Sequence, residues 1–183
     1  MIKSLLKPLR YVASDDFTIR LKRWRMQLLS RLPLGCFVLR KLHAISAPKL
    51  ELEAFGMKFP SRIGLAAGYD RNGTMIDAMA ATGFGFVEIG SITPHPQHTN
   101  VRHSLYKLEG DRALLYNSEI ESAGVEQVIK NIKHHSSRII VGCNIAKGSK
   151  TPREDAAIDY LRLFRPLYQY ADYFTVNIAC NTA

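Results

Sequence analysis

The feature that most constrains this chain is an alternation of short apolar segments with helical segments, beginning near residue 62. Four apolar segments have the length and composition of buried β-strands: 62–67, 84–89, 138–143 and 173–178. Helical segments follow the first three strands, and a long polar loop precedes the second helix. Strands that alternate with helices predict βαβ units, and therefore an α/β fold with a parallel sheet.

Two local signals add to this pattern. Leu50–Pro60 alternates in polarity and turns at Gly56, which predicts a small β-hairpin. Further on, Thr151, Pro152 and Glu154 occupy the N-cap, first-turn and capping-box positions of a helix start. They predict that the third helix begins at this point and runs to about Tyr168.

The N-terminal 50 residues form a separate, basic arm. They hold 11 of the 25 Lys and Arg residues and only 2 of the 16 Asp and Glu residues, so they account for the entire net charge of +9. Within the arm, 15–32 has the periodicity of an amphipathic helix. Its apolar stripe consists of Phe17, Leu21, Trp24, Leu28 and Leu32. A break at Pro33 and Gly35 separates it from a second helical segment, Cys36–His43.

The basic arm is compatible with three roles. A helix of this kind can lie in a membrane interface, pack its stripe on the parent domain, or present a solvated basic face. The first two are compatible, since a helical pair can dock at one end and contact lipid at its rim. Nucleic-acid binding is disfavoured, because only Trp24 and Phe17 offer aromatic faces for base stacking.

Several classes of protein are not supported by the sequence. The three cysteines, Cys36, Cys143 and Cys180, are widely spaced, so no disulfide framework or metal site is expected. The start lacks the apolar core of a secretory signal, and no apolar run of about 18 residues would span a membrane. Neither a dinucleotide-binding GxGxxG nor a P-loop occurs.

All four predicted strands end in small or polar residues. The endings are Ala66-Ala67-Gly68, Glu88-Ile89-Gly90-Ser91, Asn144-Ile145-Ala146-Lys147 and Asn177-Ile178-Ala179-Cys180-Asn181. In parallel α/β folds, ligands bind at the carboxyl ends of the strands. Small residues admit a flat ligand close to the backbone, and Asn amides supply donors and acceptors. The pattern therefore indicates a site for a heteroaromatic ring such as a flavin.

Four stretches carry a family resemblance: GLAAGYDRNG (64–73), GFGFVEIGSITPHPQ (83–97), the Asn144-Ile145 pair, and TPREDAAIDYLRLFRPLYQYADYFTVNI (151–178). They resemble the quinone-dependent dihydroorotate dehydrogenases, whose N-terminal helical extension the basic arm also resembles. The resemblance implies an FMN-binding (β/α)₈ TIM barrel over 49–183, preceded by a helical extension over 1–48. It implies oxidation of dihydroorotate to orotate in pyrimidine biosynthesis, with quinone as the electron acceptor. It also implies peripheral membrane contact through residues 1–45, on the cytoplasmic side.

The resemblance assigns cofactor roles residue by residue. The positions that match the family's flavin contacts are Ala66, Ala67, Gly68, Ser91, Asn144 and Asn177. Ser91 stands where the family usually has Thr, and its hydroxyl can make the same contact.

The resemblance likewise assigns the substrate side of the site. Arg71, Asn117 and Asn181 match substrate-binding positions, Arg71 standing where the family has Lys. Cys180 matches the catalytic base, which is Ser in most quinone-dependent members and Cys in the soluble class. A thiol suits this role because its unperturbed pKa of about 8.5 lies nearer neutrality than that of an alcohol.

Two departures from the family pattern set an alternative expectation. The substrate loop is replaced at 116–122 by a stretch that includes Glu119 and Glu121, whose charge opposes an anionic substrate. A TIM barrel needs about 250 residues, and those beyond the arm suffice for four βα units. The chain is therefore expected to be a fragment that is inactive alone. The alternative is a non-catalytic, divergent relative that binds a membrane or a partner through the arm.

Overall fold

The elements of the fold follow the predicted alternation of strands and helices. The computed structural model describes residues 15–32, 34–44, 50–98, 105–108, 110–116 and 120–179. In chain order, the helices and strands among these residues are α1 (Asp15–Arg31), α2 (Gly35–His43), β1 (Leu52–Ala54), β2 (Met57–Phe59), α3 (Ile76–Ala81), β3 (Phe86–Ile92), β4 (Leu105–Leu108), β5 (Ala113–Tyr116), α4 (Val125–Ile132), β6 (Ile140–Ala146), α5 (Ala156–Leu167) and β7 (Tyr173–Asn177).

Three of the four predicted strands form one parallel sheet in the order β3-β6-β7. Val87 pairs with Val141 between β3 and β6, and Asn144 pairs with Thr175 between β6 and β7. The predicted α/β class is therefore confirmed, with the barrel only partly present. Because both pairs are parallel, all three strands end at the same edge of the sheet.

The first predicted strand, 62–67, is reduced to a single bridge. Leu65 forms an isolated parallel bridge with Val87 of β3. The amide of Leu65 donates to the carbonyl of Phe86 at 3.0 Å, and the amide of Glu88 donates back to Leu65 at 2.8 Å. The segment thus lies beside β3 in the predicted position, but this pairing is too short to form a regular strand.

The chain also forms two antiparallel hairpins. The predicted hairpin is confirmed as β1 and β2, in which Leu52 pairs with Phe59. Its two turn residues, Phe55 and Gly56, have φ of 53° and 74°, the positive values that a type I′ turn requires. The second hairpin, β4 with β5, lies where the sequence predicts only a polar loop. Its four-residue strands pair with each other, and the described side chains of Leu108 and Leu115 are exposed, unlike those of a core strand.

The predicted start of the third helix is wrong in detail. Helix α5 begins at Ala156, and its N-cap residue Asp155 makes no side-chain cap hydrogen bond. The amide of Asp155 instead donates to the carbonyl of Pro152 at 3.3 Å, and Thr151 closes a turn onto Gly148 at 3.1 Å. Residues 151–155 therefore form successive turns before the helix, and no capping box forms.

The apolar core lies between the outer face of the sheet and the helices. From the sheet it takes Val87, Ile89, Val141, Cys143 and Ile145, and from the helices Ile76, Met79, Val128, Ile132, Leu163 and Leu167, all at most 3% exposed. This burial explains why the strands read as continuous apolar runs, as expected for a parallel sheet covered by helices.

The opposite, inner face of the sheet is closed at its base by aromatic rings. Phe86 packs edge-on against Phe59 of β2 at 5.4 Å and against Tyr173 of β7 at 6.4 Å, measured between ring centroids. The ring of Tyr173 occupies the position where a side chain at Gly142 of β6 would lie. The hairpin β1–β2 and these rings therefore seal the end of the sheet opposite to the strand carboxyl ends.

Helix α1 packs on the rest of the fold through a face other than its predicted apolar stripe. Met26 and Leu29 pack against the core, and Gln27 Nε2 donates to Thr74 Oγ1 at 3.0 Å. The stripe residues Leu21, Trp24, Leu28 and Leu32 are 43–56% exposed, whereas the side chain of Phe17 lies outside the described residues. The interpretation that the stripe packs on the parent domain is therefore wrong. Among the described residues, no helix is long and apolar enough to cross a bilayer.

The contact between Gly142 and Tyr173 yields a stability prediction. Replacing Gly142 with Ala places a methyl group within the Tyr173 ring, so the free energy of unfolding should fall by about 1–3 kcal/mol. Gly110→Ala is the matched control, because its new Cβ would meet nothing within 4 Å. Urea denaturation of both variants measures the difference, and equal midpoints would contradict the close packing.

Candidate functional site

The candidate site lies at the edge of the sheet where β3, β6 and β7 end. Ile92 pairs with Ile145, and Ala146 pairs with Asn177, so the last residues of the three strands are neighbours. This is the edge at which ligands bind in parallel α/β folds. An irregularity in the β3 register between Ile89 and Ile92 falls at the same place.

Three predicted cofactor residues are joined there by hydrogen bonds. Ser91 Oγ donates to Asn144 Oδ1 at 2.6 Å, and Asn177 Nδ2 donates to Ser91 Oγ at 3.0 Å. The backbone carbonyl of Asn177 accepts a bond of 3.0 Å from the hydroxyl of Tyr160, which holds the end of β7 against α5. The structure therefore brings Ser91, Asn144 and Asn177 together on three adjacent strands.

The loop that follows Leu65 forms one side of the site. The amide of Gly68 donates to the carbonyl of Gly90 at 2.9 Å, which places the loop beside the end of β3. Ala66 and Gly68 are exposed, and no atom lies within 4 Å of the position that a Gly68 side chain would take. At Gly90, by contrast, a side chain would overlap the carbonyl of Asn144. The predicted residues Ala66, Ala67 and Gly68 thus border open space at the strand ends.

An acid that the sequence analysis did not assign lies beneath this row. Glu88 of β3 accepts hydrogen bonds from Asn144 Nδ2 at 2.9 Å, Thr175 Oγ1 at 3.0 Å and Tyr173 OH at 3.2 Å. Burial, and then the charge and hydrogen bond of Glu88, raise the pKa of Tyr173, so its hydroxyl stays protonated as a donor. A signal for this network exists in the sequence. An acid interrupts the apolar strand FVEIG, and polar residues alternate along β7 at Tyr173, Thr175 and Asn177.

The predicted substrate-binding cation, Arg71, is engaged by an acid. Its Nη1 forms an ion pair with Glu121 Oε2, and its Nε donates to the carbonyl of Gly68 at 3.3 Å. The side chains of Arg71 and Glu121 are 17% and 40% exposed. Glu121 is therefore bound to the guanidinium that the resemblance assigns to an anionic substrate. This agrees with the expectation that the acidic residues of the altered loop oppose such a substrate.

Helix α1 contributes a second cation to this region. Burial lowers the pKa of Arg23, and the like charge of Arg71 lowers it further, whereas nearby Asp70 acts in the opposite direction. Asp70 is fully buried and accepts bonds from the amides of Thr74 and Met75 at 2.9 and 2.8 Å. The helical extension is thereby in electrostatic contact with the loop that carries Arg71.

Three predicted site residues, Asn117, Cys180 and Asn181, lie outside the described residues. Of the two cysteines that the structure describes as free thiols, Cys143 lies on the outer face of β6 and is completely buried. Burial, followed by the charges of Asp172 and Glu88, raises its pKa to about 12, so it cannot serve as a base near neutral pH. Within the described part of the chain, no cluster of His, Cys, Asp or Glu could hold a metal ion.

The arrangement suits a flat, polar ring more than other ligands. Small residues border the open space, and amide and hydroxyl groups line the strand ends. Arg71 is hydrogen-bonded to the carbonyl of Gly68 at the same edge. A ring with carbonyl oxygens and ring nitrogens could hydrogen-bond these groups, and an anion could take the guanidinium. The amide and hydroxyl groups therefore fit a flat heteroaromatic ring such as isoalloxazine, whereas an anion would have to compete with Glu121 for Arg71. The fold and this edge define an α/β protein with a parallel sheet and a candidate ligand site at the strand carboxyl ends.

Comparison with known proteins agrees with this class. The family model for dihydroorotate dehydrogenase matches residues 49–183. A protein of Idiomarina loihiensis named dihydroorotate dehydrogenase (quinone) is 37% identical over 176 residues, which is 96% of this chain and 51% of the relative. One of the same name from Acinetobacter baumannii is 42% identical over 147 residues, which is 78% of this chain and 44% of the relative.

A solved structure shows the same architecture. The dihydroorotate dehydrogenase of Eimeria tenella, determined in complex with ferulenol, superposes with a TM-score of 0.71 at 25% identity. The match covers 88% of this chain and 43% of that protein. The chain belongs to the dihydroorotate dehydrogenase family, and it spans about half the length of the curated relatives that it matches.

Proposed function

We propose that this protein takes part in the FMN-dependent oxidation of (S)-dihydroorotate to orotate, with quinone as electron acceptor, in pyrimidine biosynthesis. The observation that carries the proposal is the hydrogen-bonded row Ser91–Asn144–Asn177, at the strand carboxyl ends of a chain of this family. The quinone in the names of its relatives supports the choice of acceptor.

The geometry of the strand ends supports the cofactor side of the proposal. FMN, when bound, supplies a two-electron acceptor for the hydride from C6 of the substrate. Asn144 and Ser91 would hydrogen-bond the polar edge of its ring, and Asn177 would complete the row. Ala66, Ala67 and Gly68 would let the ring approach the backbone, because they add little side-chain bulk above it.

The substrate side uses the remaining assigned residues. Arg71 would bind the carboxylate of dihydroorotate, and Asn117 and Asn181 would hold its ring. Cys180 would accept the proton from C5 as the hydride leaves C6, so that two hydrogens are removed in all. Because the thiolate is the active form of this base, kcat/KM should rise with pH through the pKa of Cys180.

Replacing Cys180 tests this assignment in a protein that carries the whole barrel. Cys180→Ala should lower dihydroorotate-dependent dye reduction by roughly 10²–10⁴-fold and leave the flavin absorption bands intact. Cys180→Ser should retain part of the activity and move the rise of kcat/KM to higher pH, because an alcohol ionises at higher pH than a thiol. Full activity of Cys180→Ala, or wild-type protein without flavin bands and turnover, would refute the proposal.

The ion pair between Arg71 and Glu121 leads to a prediction about substrate affinity. Because Glu121 competes with the substrate carboxylate for the guanidinium, Glu121→Gln should tighten orotate binding several-fold, as expected for a partly exposed ion pair. Glu126→Gln, on the exposed side of α4, removes the same charge and should leave the affinity unchanged. Isothermal titration with orotate provides the measurement. Weaker binding to Glu121→Gln would mean that Glu121 holds Arg71 in its productive position.

Membrane contact through residues 1–45, on the cytoplasmic side, is part of the same proposal. The exposed apolar side chains of α1 and α2 include Trp24 at 56%, Phe37 at 56% and Leu42 at 69%. Basic residues such as Arg25 and Lys41 surround them, the combination that binds an anionic lipid surface. The outward direction of the stripe supports this role over a purely structural one.

A double substitution in the helices tests the membrane role. Trp24→Ser with Phe37→Ser should weaken binding to phosphatidylglycerol-containing vesicles by roughly tenfold, because two apolar anchors are lost. Leu161→Ser, on α5, removes an apolar side chain of similar exposure, 51%, and should have no effect. Vesicle co-sedimentation gives the comparison, and equal binding by all variants would exclude these helices as the contact.

A non-catalytic relative is the second candidate function, favoured by one observation. Glu121 holds Arg71 in an ion pair, which opposes an anionic substrate. In that case the protein would bind vesicles through α1 and α2 but show neither flavin bands nor turnover. The Cys180 and vesicle experiments together distinguish the two functions.

A further inference from the structure

We propose that Glu88 is a positioning residue that sets the direction of the Asn144 amide at the flavin site. The inference rests on the proposed function, because it concerns the residues assigned to the cofactor. Glu88 lies on the inner face of the sheet, between the aromatic base and the strand ends. It accepts from three neutral donors, Asn144, Tyr173 and Thr175.

The acceptor oxygens of Glu88 fix the orientation of the neighbouring amide. A carboxylate only accepts hydrogen bonds, so Asn144 must turn its NH₂ group towards Glu88. Its Oδ1 then faces the end of β3, where it accepts the hydrogen of Ser91 at 2.6 Å. A reversed amide would set oxygen against carboxylate and nitrogen against a hydroxyl donor, which is unfavourable at both contacts.

The donor and acceptor order set at Asn144 continues through Ser91 to Asn177 on the third strand. Because the hydroxyl hydrogen of Ser91 is used on Asn144, Ser91 Oγ acts as the acceptor for Asn177 Nδ2 at 3.0 Å. The Oδ1 of Asn177 in turn accepts the amide of Ala179 at 3.1 Å. One half-buried acid thus orders two amides and a hydroxyl on three different strands.

This order determines what a ligand meets at Asn144. Glu88 accepts one of the two hydrogens on Asn144 Nδ2, and the second can be donated to a ligand. Asn144 is 8% exposed, so it cannot readily turn to present its oxygen instead. Asn144 therefore favours a ring edge that carries an acceptor, such as a carbonyl oxygen or an unprotonated ring nitrogen.

A purely structural role for Glu88 makes a different prediction. In that case the three donors are equivalent, and loss of any one should have a similar effect. If Glu88 acts through Asn144, only a change that frees the Asn144 amide should affect the ligand. Thr175→Val is the matched control, because it removes one donor to Glu88 and leaves the Asn144 bond in place.

The experiment compares three variants of the purified protein. Glu88→Met keeps the volume but removes the acceptor, so FMN affinity should fall roughly tenfold or more, as for an unsatisfied buried amide. Glu88→Gln can still accept from Asn144 and should bind FMN within a few-fold of wild type, as should Thr175→Val. Fluorescence titration of the flavin-free proteins with FMN gives the dissociation constants. Equal affinities of Glu88→Met and Thr175→Val would overturn the inference.

A second measurement does not depend on FMN. In the flavin-free protein, one of the two Asn144 amide hydrogens should exchange slowly with solvent, because it is bonded to Glu88. Side-chain ¹H–¹⁵N spectra should show that protection in wild type, Glu88→Gln and Thr175→Val, and its loss in Glu88→Met. Rapid exchange of both hydrogens in wild type would refute the role of Glu88, even if Glu88→Met fails to fold. Protection without FMN binding would instead contradict only the proposed function.

Discussion

The parallel pairing of β3 with β6 and of β6 with β7 is the constraint on which the rest of the structure depends. It forces each strand to be followed by a crossover, and the crossover helices α4 and α5 cover the outer face of the sheet. It also brings all three strand ends to one edge. The same pairing therefore creates the apolar core on one face and collects the polar groups of the candidate site at the edge of the other.

The inner face shows how a polar network can be accommodated inside an apolar fold. A carboxylate removed from water is costly unless hydrogen bonds replace its hydration. Glu88 meets three donors on β6 and β7, and rings from Phe59, Phe86 and Tyr173 close the space below it. The network spans the three strands, so its geometry depends on the sheet register, and a shift by one residue would separate its members.

The helical extension is joined to the barrel at the loop that carries Arg71. Gln27 donates to Thr74, and Arg23 lies in the field of Arg71 and Asp70. This face of α1 is committed to the barrel, which leaves its apolar stripe directed outwards. The packing of α1 on the barrel and the exposure of its stripe are thus two consequences of one helix orientation. As a result, the proposed membrane contact and the proposed substrate cation lie on neighbouring elements.

Local sequence patterns accounted for much of the fold. The periodicity of 15–32 and the apolar runs before Ser91, Asn144 and Asn177 predicted the helices and the three paired strands. The same patterns missed β4 and β5, whose four-residue strands pair with each other in a local hairpin. They overstated the strand at 62–67, where Leu65 alone bridges to Val87. The capping motif at Thr151 also failed, since Thr151 and Pro152 instead close turns before α5.

The features of the candidate site likewise divide into those that the sequence predicted and those that only the tertiary structure revealed. The sequence by itself determined that Asn and Ser residues lie at strand ends, and the family resemblance assigned them to a flavin. Only the tertiary structure decided that Glu88 accepts a hydrogen bond from Asn144, that Glu121 engages Arg71, and that the stripe of α1 faces outwards. The physical reason is that these contacts join residues 47 or more positions apart. Local periodicity encodes which face of a strand or helix is apolar, but strand register and helix docking determine which side chains meet.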